Sequence, residues 1–317
     1  MRKKFAVDVG SRYIRAVTED SPVEKMLCEP SVVAVERDDD RKIAACGSDA
    51  LRLVERVKGA YRIVSPFSPD KTPNPAYAAA LLGHVIKRCN AKRHDVYLSY
   101  SGRKSPENDA VVVNAVQETD VGDVVTIDPA YAAGCGCGVR GMGENVIVNI
   151  GASYVNMAAY SRSKAVDERV NTYAGNSVDK AISIAIFRKY RLSINPETAE
   201  NIKLFHASLT ESSDLSFAVK CIKPTLGLPF ELTLTENEIA GFIEGPVDEF
   251  LDDLIDMVRG MPAEPDKIVL TGGGAQLNGL QPTIQSLLHF PVVVANRPAE
   301  AVINGILQII EANFDDE

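Results

Sequence analysis

Two stretches of this chain repeat one pattern of apolar and polar positions. Phe5-Ala6-Val7-Asp8-Val9 breaks at Gly10-Ser11 and resumes as Tyr13-Ile14-Arg15-Ala16-Val17. Far downstream, Asn145-Val146-Ile147-Val148-Asn149 breaks at Gly151-Ala152-Ser153 and resumes over residues 154–160. Short apolar runs bounded by glycine predict strand, tight turn, strand. Apolar, Asp8, apolar, Gly10, Ser11 matches apolar, Asn149, apolar, Gly151, Ala152-Ser153, so the chain reads as an internal duplication that builds two similar lobes.

Between and beyond these hairpins the pattern predicts further elements. Strands are expected at 31–35, 96–100, 110–113 and 124–127, with a turn at 37–41 and a helix over 48–57. Pro66, Pro69, Pro73 and Pro75 mark a loop, after which Leu81, Leu82, Val85, Ile86 and Cys89 keep helical spacing. The second half reads as more helical, with helices over 177–190 and 196–209. Thr235 and Glu238 form a capping-box pattern opening a long amphipathic helix through Val258, with a kink expected at Pro246 and its acidic residues on a solvated face. The chain closes with a strand at 267–271, three glycines, a strand at 292–295 and a helix from residue 299.

At 317 residues the chain fits two or three compact units better than one. No uncharged apolar run approaches the ~18 residues of a membrane-spanning helix. A net charge of −9 speaks against broad nucleic-acid binding and against electrostatic adsorption to anionic lipid. Met1 to Phe5 resembles the basic start of a signal peptide, but Asp8 and Arg12 interrupt the stretch after it, so no apolar signal core forms and a cytoplasmic location is expected. Cysteines are scattered without C-x2-C pairs, which speaks against a Cys/His metal centre, and Cys135 and Cys137 read as small half-buried side chains in a Gly/Ala-rich turn.

Glycine-bearing hairpins suit phosphate because backbone N–H groups converge where no side chain blocks the approach, and a pair of them suits a polyphosphate. Asp8, on the strand beside the first turn, is the candidate ligand for magnesium, which prefers a few oxygen ligands and keeps several waters. Taken alone, either hairpin reads equally well as an ordinary tight turn with a solvated acid. The run Thr271-Gly272-Gly273-Gly274-Ala275 ends a buried strand and is expected to open a helix, letting a base or phosphate rest on backbone. A G-x-G-x-x-G match at Gly136, Gly138 and Gly141 has the wrong context, with a helix-like stretch before it and a strand after it. No G-x-x-x-x-G-K-[ST], G-x-S-x-G or H-E-x-x-H occurs, which excludes P-loop enzymes and the commonest hydrolase signatures.

Asp8-Val9-Gly10-Ser11, Asn149-Ile150-Gly151-Ala152-Ser153 and Thr271-Gly272-Gly273-Gly274-Ala275 resemble, in order, the two phosphate segments and the adenosine segment of the actin, sugar-kinase and heat-shock-chaperone superfamily. Glu29-Pro30-Ser31-Val32-Val33, Thr198-Ala199-Glu200-Asn201-Ile202-Lys203 and residues 268–280 make the chain most similar to the MreB family of bacterial actins along nearly its whole length. The resemblance implies an α/β actin-like fold of two lobes, each a ribonuclease-H-like mixed sheet flanked by helices, with a nucleotide cleft between them. It implies lobe I over 1–143 with an insertion at about 31–65 and the C-terminal helix 299–317 packed back on it, and lobe II over 144–298 with a helical insertion at about 178–240. It further implies ATP or GTP with magnesium, phosphates at Gly10, Ser11, Arg12, Gly151, Ala152 and Ser153, the base and ribose near Gly272, Gly273, Gly274, Glu200 and Lys203, and the metal at Asp8.

The chain also departs from the family. Asn149 stands where the family usually has Asp, Gly175-Asn176 where it often has Gly-Gly-Asp, and Asp128-Pro129 where a Glu-Pro pair supplies the carboxylate that orients the attacking water. Asp128 and Asn149 are thus the catalytic positions, and a carboxylate one methylene shorter falls about 1 Å short, enough to cost roughly a hundredfold in rate. Weak ATPase activity at best is expected. The expected function is a cytoskeletal protein that polymerises with itself or with an MreB-type relative, in cell-shape or cell-wall organisation. Alternatives are an actin-fold chaperone-like, reactivating or pilus-assembly-type adaptor, or a non-hydrolysing paralogue that co-assembles with an active relative. The loop Lys87-Arg88-Cys89-Asn90-Ala91-Lys92-Arg93-His94-Asp95 lacks the adjacent large apolar pair of a membrane-inserting tip, so membrane association is expected only weakly or through a protein partner.

Overall fold

The computed structural model describes residues 2–69, 72–102, 105–139, 143–162, 164–210 and 214–315. The chain divides into two compact units, Met1–Gly141 with Ala299–Glu317, and Met142–Pro298.

In the first unit β1 (Lys4–Val9) pairs antiparallel with β2 (Tyr13–Thr18), which pairs in turn with β3 (Leu27–Pro30). Next come β4 (Val33–Glu36), β5 (Ile43–Cys46), α1 (Gly47–Arg56) and β6 (Tyr61–Val64), the strands forming a small antiparallel sheet in the order β5-β4-β6. Four further elements, α2 (Pro75–Arg88), β7 (Asp95–Tyr100), α3 (Pro106–Gln117) and β8 (Val124–Ile127), complete a five-stranded sheet ordered β3-β2-β1-β7-β8, before α4 (Pro129–Gly136). All six residues of β1 are buried, as befits a central strand covered on both faces. Phe5, Val7 and Val9 of β1 share a core with Leu81, Leu82 and Val85 of α2 and with Val112 and Val116 of α3.

The second unit repeats this plan. β9 (Asn145–Ile150), β10 (Val155–Ser161) and β11 (Lys164–Asn171) form an antiparallel meander. Helices α5 (Gly175–Tyr190) and α6 (Pro196–His206), the hairpin β12 (Ser216–Lys223) with β13 (Leu228–Thr235), and the long α7 (Glu236–Arg259) come next. Then β14 (Lys267–Thr271), α8 (Leu280–Leu288) and β15 (Val292–Val294) give a sheet ordered β11-β10-β9-β14-β15. In both five-stranded sheets the first three strands are antiparallel and the last two join in parallel. The last helix, α9 (Ala301–Asp315), returns to the first unit, where it packs on α4, β1 and β7.

Local chemistry explains most helix starts. Asn74, Ser105, Asp128 and Asn195 each accept a backbone N–H of the first turn through their side chains, and each is followed by proline at the first helical position. Thr235 and Glu238 cap α7 reciprocally, and the helix continues through Pro246 to Arg259. The cap at Ser105 overrides the β propensity of residues 110–113: the strand expected there lies inside α3, because Ser105-Pro106 starts a helix whose Val112, Ala115 and Val116 bury one stripe. The insertion expected to be helical over 178–240 contains the β12–β13 hairpin instead of continuing as helix. Val219, Cys221, Leu232 and Leu234 alternate inward, and Gly227, at φ +65°, turns the chain between them.

The first glycine of the G-x-G-x-x-G match resolves as packing, while Gly138, at φ +72°, turns the chain after α4. A Cβ on Gly136 would stand 2.0 Å from the carbonyl oxygen of Ala301, and one on Gly305 would stand 1.7 Å from that of Ala132, so α4 and α9 meet backbone to backbone. Cys135 is buried in the same small-residue helix, and Gly141 lies outside the described residues.

Candidate functional site

In the first unit the turn after β1 closes by a hydrogen bond from the Gly10 N–H to the carbonyl of Tyr13, 3.1 Å. A Cβ at Gly10 would stand 2.8 Å from that same oxygen, so the turn requires glycine. Ser31, fully buried, braces it: its hydroxyl donates to the Gly10 carbonyl at 2.6 Å and its N–H to the Arg12 carbonyl at 3.0 Å. Ser11 is half-buried, and the exposed Arg12 lies with its guanidinium 5.9 Å from the Tyr13 ring centre.

Asp8 faces Arg15 across β1–β2 and Ser99 across β1–β7. Its carboxylate is 4.0 Å from the Arg15 guanidinium, and burial, only partly offset by that cation, pushes its pKa up to about 6. The buried Ser99 hydroxyl has no hydrogen-bond partner. Among the described residues no group of three His, Cys, Asp or Glu side chains is placed to hold a metal. This donor set fits magnesium only as an ion that keeps its waters and leans on phosphate, with Asp8 as the protein carboxylate.

The second unit reproduces the turn. The Gly151 N–H donates to the Tyr154 carbonyl at 2.9 Å, and a Cβ there would stand 3.0 Å from that oxygen. The start of α5 holds the turn from below. Its Gly175 and Asn176 N–H groups donate to the carbonyls of Gly151 and Ala152 at 3.2 and 2.7 Å, and the Asn176 amide donates to the buried Ser153 hydroxyl at 2.9 Å. Lys203, from α6, sits beside this arrangement, 3.2 Å from the Gly175 carbonyl and 2.9 Å from the Asp179 carboxylate. Glu200, one turn earlier on α6, is half-buried.

Asn149 occupies the position of Asp8, and its ladder neighbours are Asn156 on β10 and Thr271 on β14. The Thr271 hydroxyl donates to the Val148 carbonyl and to Asn149 Oδ1, both at 3.3 Å. Asn156 is 2 % exposed, and neither its amide nitrogen nor its amide oxygen has a partner. The glycine run comes directly after Thr271. Gly272 has φ +78°, and a Cβ on it would stand 2.3 Å from the Ile150 carbonyl and 2.8 Å from Asn149 Oδ1. A Cβ on Gly274 would press on the Ile150 side chain, whereas one on Gly273 would meet nothing within 4 Å.

The second turn, Asn149, Lys203 and the glycine run are therefore brought together within one unit. Gly10, Ser11, Arg12 and Asp8 are brought together in the other. The helix expected straight after the glycines is instead a four-residue 3-10 turn, Gly273–Gln276, and α8 starts only at Leu280. Consecutive glycines lack both helix propensity and a capping side chain, which accounts for the difference. Asp128 caps α4, one carboxylate oxygen accepting the N–H groups of Ala130 and Tyr131 at 2.9 Å each. Sequence reasoning missed Ser31, Ser99 and Asn156; only Asn156 was reachable, as the residue opposite Asn149 in the hairpin that the turn predicts.

Away from the turns, Arg88 is ion-paired with the buried Glu29, and Arg93 lies 3.7 Å from Asp120, which leaves Lys87 and Lys92 as the exposed lysines of that loop. Among the described residues no helix is long and apolar enough to cross a membrane.

Comparison with known proteins gives a consistent picture. The MreB/Mbl protein family matches residues 2–316. The cell shape-determining protein Mbl of Bacillus subtilis (strain 168) is 27% identical over 316 residues, covering 96% of this chain and 94% of Mbl. Among solved structures, MreB5 of Spiroplasma citri bound to ADP superposes with a TM-score of 0.88 at 24% identity, covering 100% of this chain and 99% of that one. The MamK double helical filament superposes with a TM-score of 0.80 at 21% identity, covering 98% and 99%.

Proposed function

The chain belongs to the MreB/Mbl family and has the actin-like fold, and from that premise we propose that it is a cytoskeletal protein that binds ATP or a related nucleotide and assembles with copies of itself. The observation that carries the nucleotide reading is the duplicated turn. Two glycines on equivalent strands make the same N–H to tyrosine carbonyl bond, which supports a matched pair of turns of the kind that binds phosphate through backbone. Gly10, Ser11 and Arg12 serve one end of the phosphates and Gly151, Ala152 and Ser153 the other. Gly272 to Gly274 carry the base, with Glu200 and Lys203 toward the ribose. Magnesium held through waters by Asp8 would supply charge neutralisation on the phosphates. The ADP bound by the Spiroplasma MreB5 and the filament formed by MamK support nucleotide binding and self-association.

Hydrolysis in this reading is weak. Asn149 offers no negative charge, and the Asp128 oxygen already accepts two backbone N–H groups, which holds the short carboxylate against its own helix. Losing one positioned group commonly costs about 10²- to 10⁴-fold in rate. A phosphate-release assay on Asn149→Asp with Asp128→Glu should exceed the natural protein; equal rates would refute the impairment.

Gly273 provides the test of the nucleotide site. Because nothing lies within 4 Å of an added Cβ, Gly273→Asp should fold normally. It should lose nucleotide binding in a calorimetric titration. Retained affinity would remove the glycine run from the site. Electron microscopy with and without nucleotide tests assembly: filaments are expected, and a stable monomer that grips another protein would favour an adaptor role.

A further inference from the structure

The two strand rows beneath the turns carry the same architecture and different charge. In the first, Arg15, Asp8 and Ser99 stand side by side across β2, β1 and β7; in the second, Asn156, Asn149 and Thr271 stand side by side across β10, β9 and β14. Acid and base have both been replaced by amides in the second row. Asn156 then presents a side chain 2 % exposed whose donor and acceptor are both unpartnered. Native structures rarely leave a buried amide in that condition unless a water or ligand completes it.

The neighbourhood points to the group that completes it. Directly opposed residues on an antiparallel pair have Cβ atoms about 5 Å apart on the same face, so the Asn156 amide lies beside that of Asn149. Asn149 Oδ1 accepts from Thr271 and lies 2.8 Å from the Cβ position of Gly272, directly under the glycine run. Two neutral amides here can donate to phosphate oxygen and can both donate to and accept from water, and neither supplies the negative charge that would hold a divalent cation. In the first row the one carboxylate already faces Arg15.

We propose that Asn156 is a nucleotide-site residue that pairs with Asn149 to form a neutral floor under the second turn, so that a divalent cation held through water at Asp8 has no second carboxylate there and adds less than tenfold to nucleotide affinity. The inference rests on the nucleotide reading and specifies its metal requirement. An amide pair of this kind would work through water: waters bridging the two side chains would satisfy Asn156 and offer their remaining hydrogen bonds to the ligand.

The test is calorimetric titration of the full chain with AMPPNP, in magnesium and in EDTA. Removing magnesium should lower affinity less than tenfold, and a loss of tenfold or more overturns the proposal. Asn156→Leu, close in volume and free of polar atoms, should fold and should weaken AMPPNP about tenfold in both buffers, the worth of a buried hydrogen bond or two. An affinity within twofold of the natural protein would show Asn156 to be structural only. Binding that requires magnesium overturns this inference and leaves the nucleotide reading standing, whereas no binding in either buffer overturns both.

Discussion

The row Arg15, Asp8, Ser99 and the row Asn156, Asn149, Thr271 show how a duplicated scaffold tolerates divergence. Each sits in the same register of an equivalent sheet, under a glycine turn closed by the same backbone bond. One row buries an ion pair that burial has partly won against, since Asp8 titrates near 6 despite Arg15. The other buries only amides and a hydroxyl. The strand geometry needs neither arrangement, so the charge at these positions is free to serve the ligand and not the fold.

The strongest way to break the comparison is to put the acid of one row into the other. Asn149 is 5 % exposed and its ladder neighbours are neutral, so Asn149→Asp buries a carboxylate with no cation on its row. An uncompensated buried charge costs about 3 to 5 kcal/mol. Denaturant unfolding at pH 7 should show a loss of that order, recovered in part at pH 4, where the new acid can protonate. A variant as stable as the natural protein would mean that the second row sees far more water than its burial indicates.

The reciprocal exchange should move stability the other way. The Asp8 pKa is raised from 3.8 to about 6, so ionised Asp8 is held in the folded state against its preference. Linkage sets the sign: the folded state binds the proton more tightly, so this group's contribution to stability is present below about pH 4 and is lost as pH rises through about 6. The separation corresponds to roughly 3 kcal/mol at neutral pH. Asp8→Asn should therefore stabilise the nucleotide-free protein at pH 7 by up to about that amount and by little at pH 4. A lower melting temperature for Asp8→Asn at pH 7 would show that the 4.0 Å contact with Arg15 outweighs the burial.

Much of this arrangement was legible in the residues themselves. The paired hairpins, the glycine run and the capping box at Thr235 are local signals, fixed by turn geometry and by side chains a few positions apart. Residues 110–113 misled because β-branched valines fit a strand until the cap at Ser105 and the packing stripe through Val116 are weighed. The β12–β13 hairpin was missed because its inward alternation is confined to Val219, Cys221, Leu232 and Leu234, while large apolar residues such as Leu228 and Phe230 remain exposed. The rows beneath the turns are non-local: Asp8 meets Ser99, and Asn149 meets Thr271, only through parallel pairing across long crossovers. No spacing rule along the chain announces such a neighbour.

Those crossover neighbours supply the finest distinction between the rows, and the smallest expected effect. The Ser99 hydroxyl is buried without a partner, whereas the Thr271 hydroxyl donates to Val148 and Asn149 at 3.3 Å. An unpaired buried hydroxyl carries a desolvation cost with nothing in return, so Ser99→Ala should be neutral or stabilising by up to about 1 kcal/mol. Thr271→Val keeps the shape and removes the one proton that Asn149 Oδ1 and the Val148 carbonyl share. Because both bonds are long, the loss should be about 1 kcal/mol, at the low end for a buried hydrogen bond. Measured side by side by denaturant unfolding, the two substitutions should shift stability in opposite directions. If Ser99→Ala is instead as damaging as Thr271→Val, the Ser99 hydroxyl is satisfied by a bound water, and the first row is as fully hydrogen-bonded as the second.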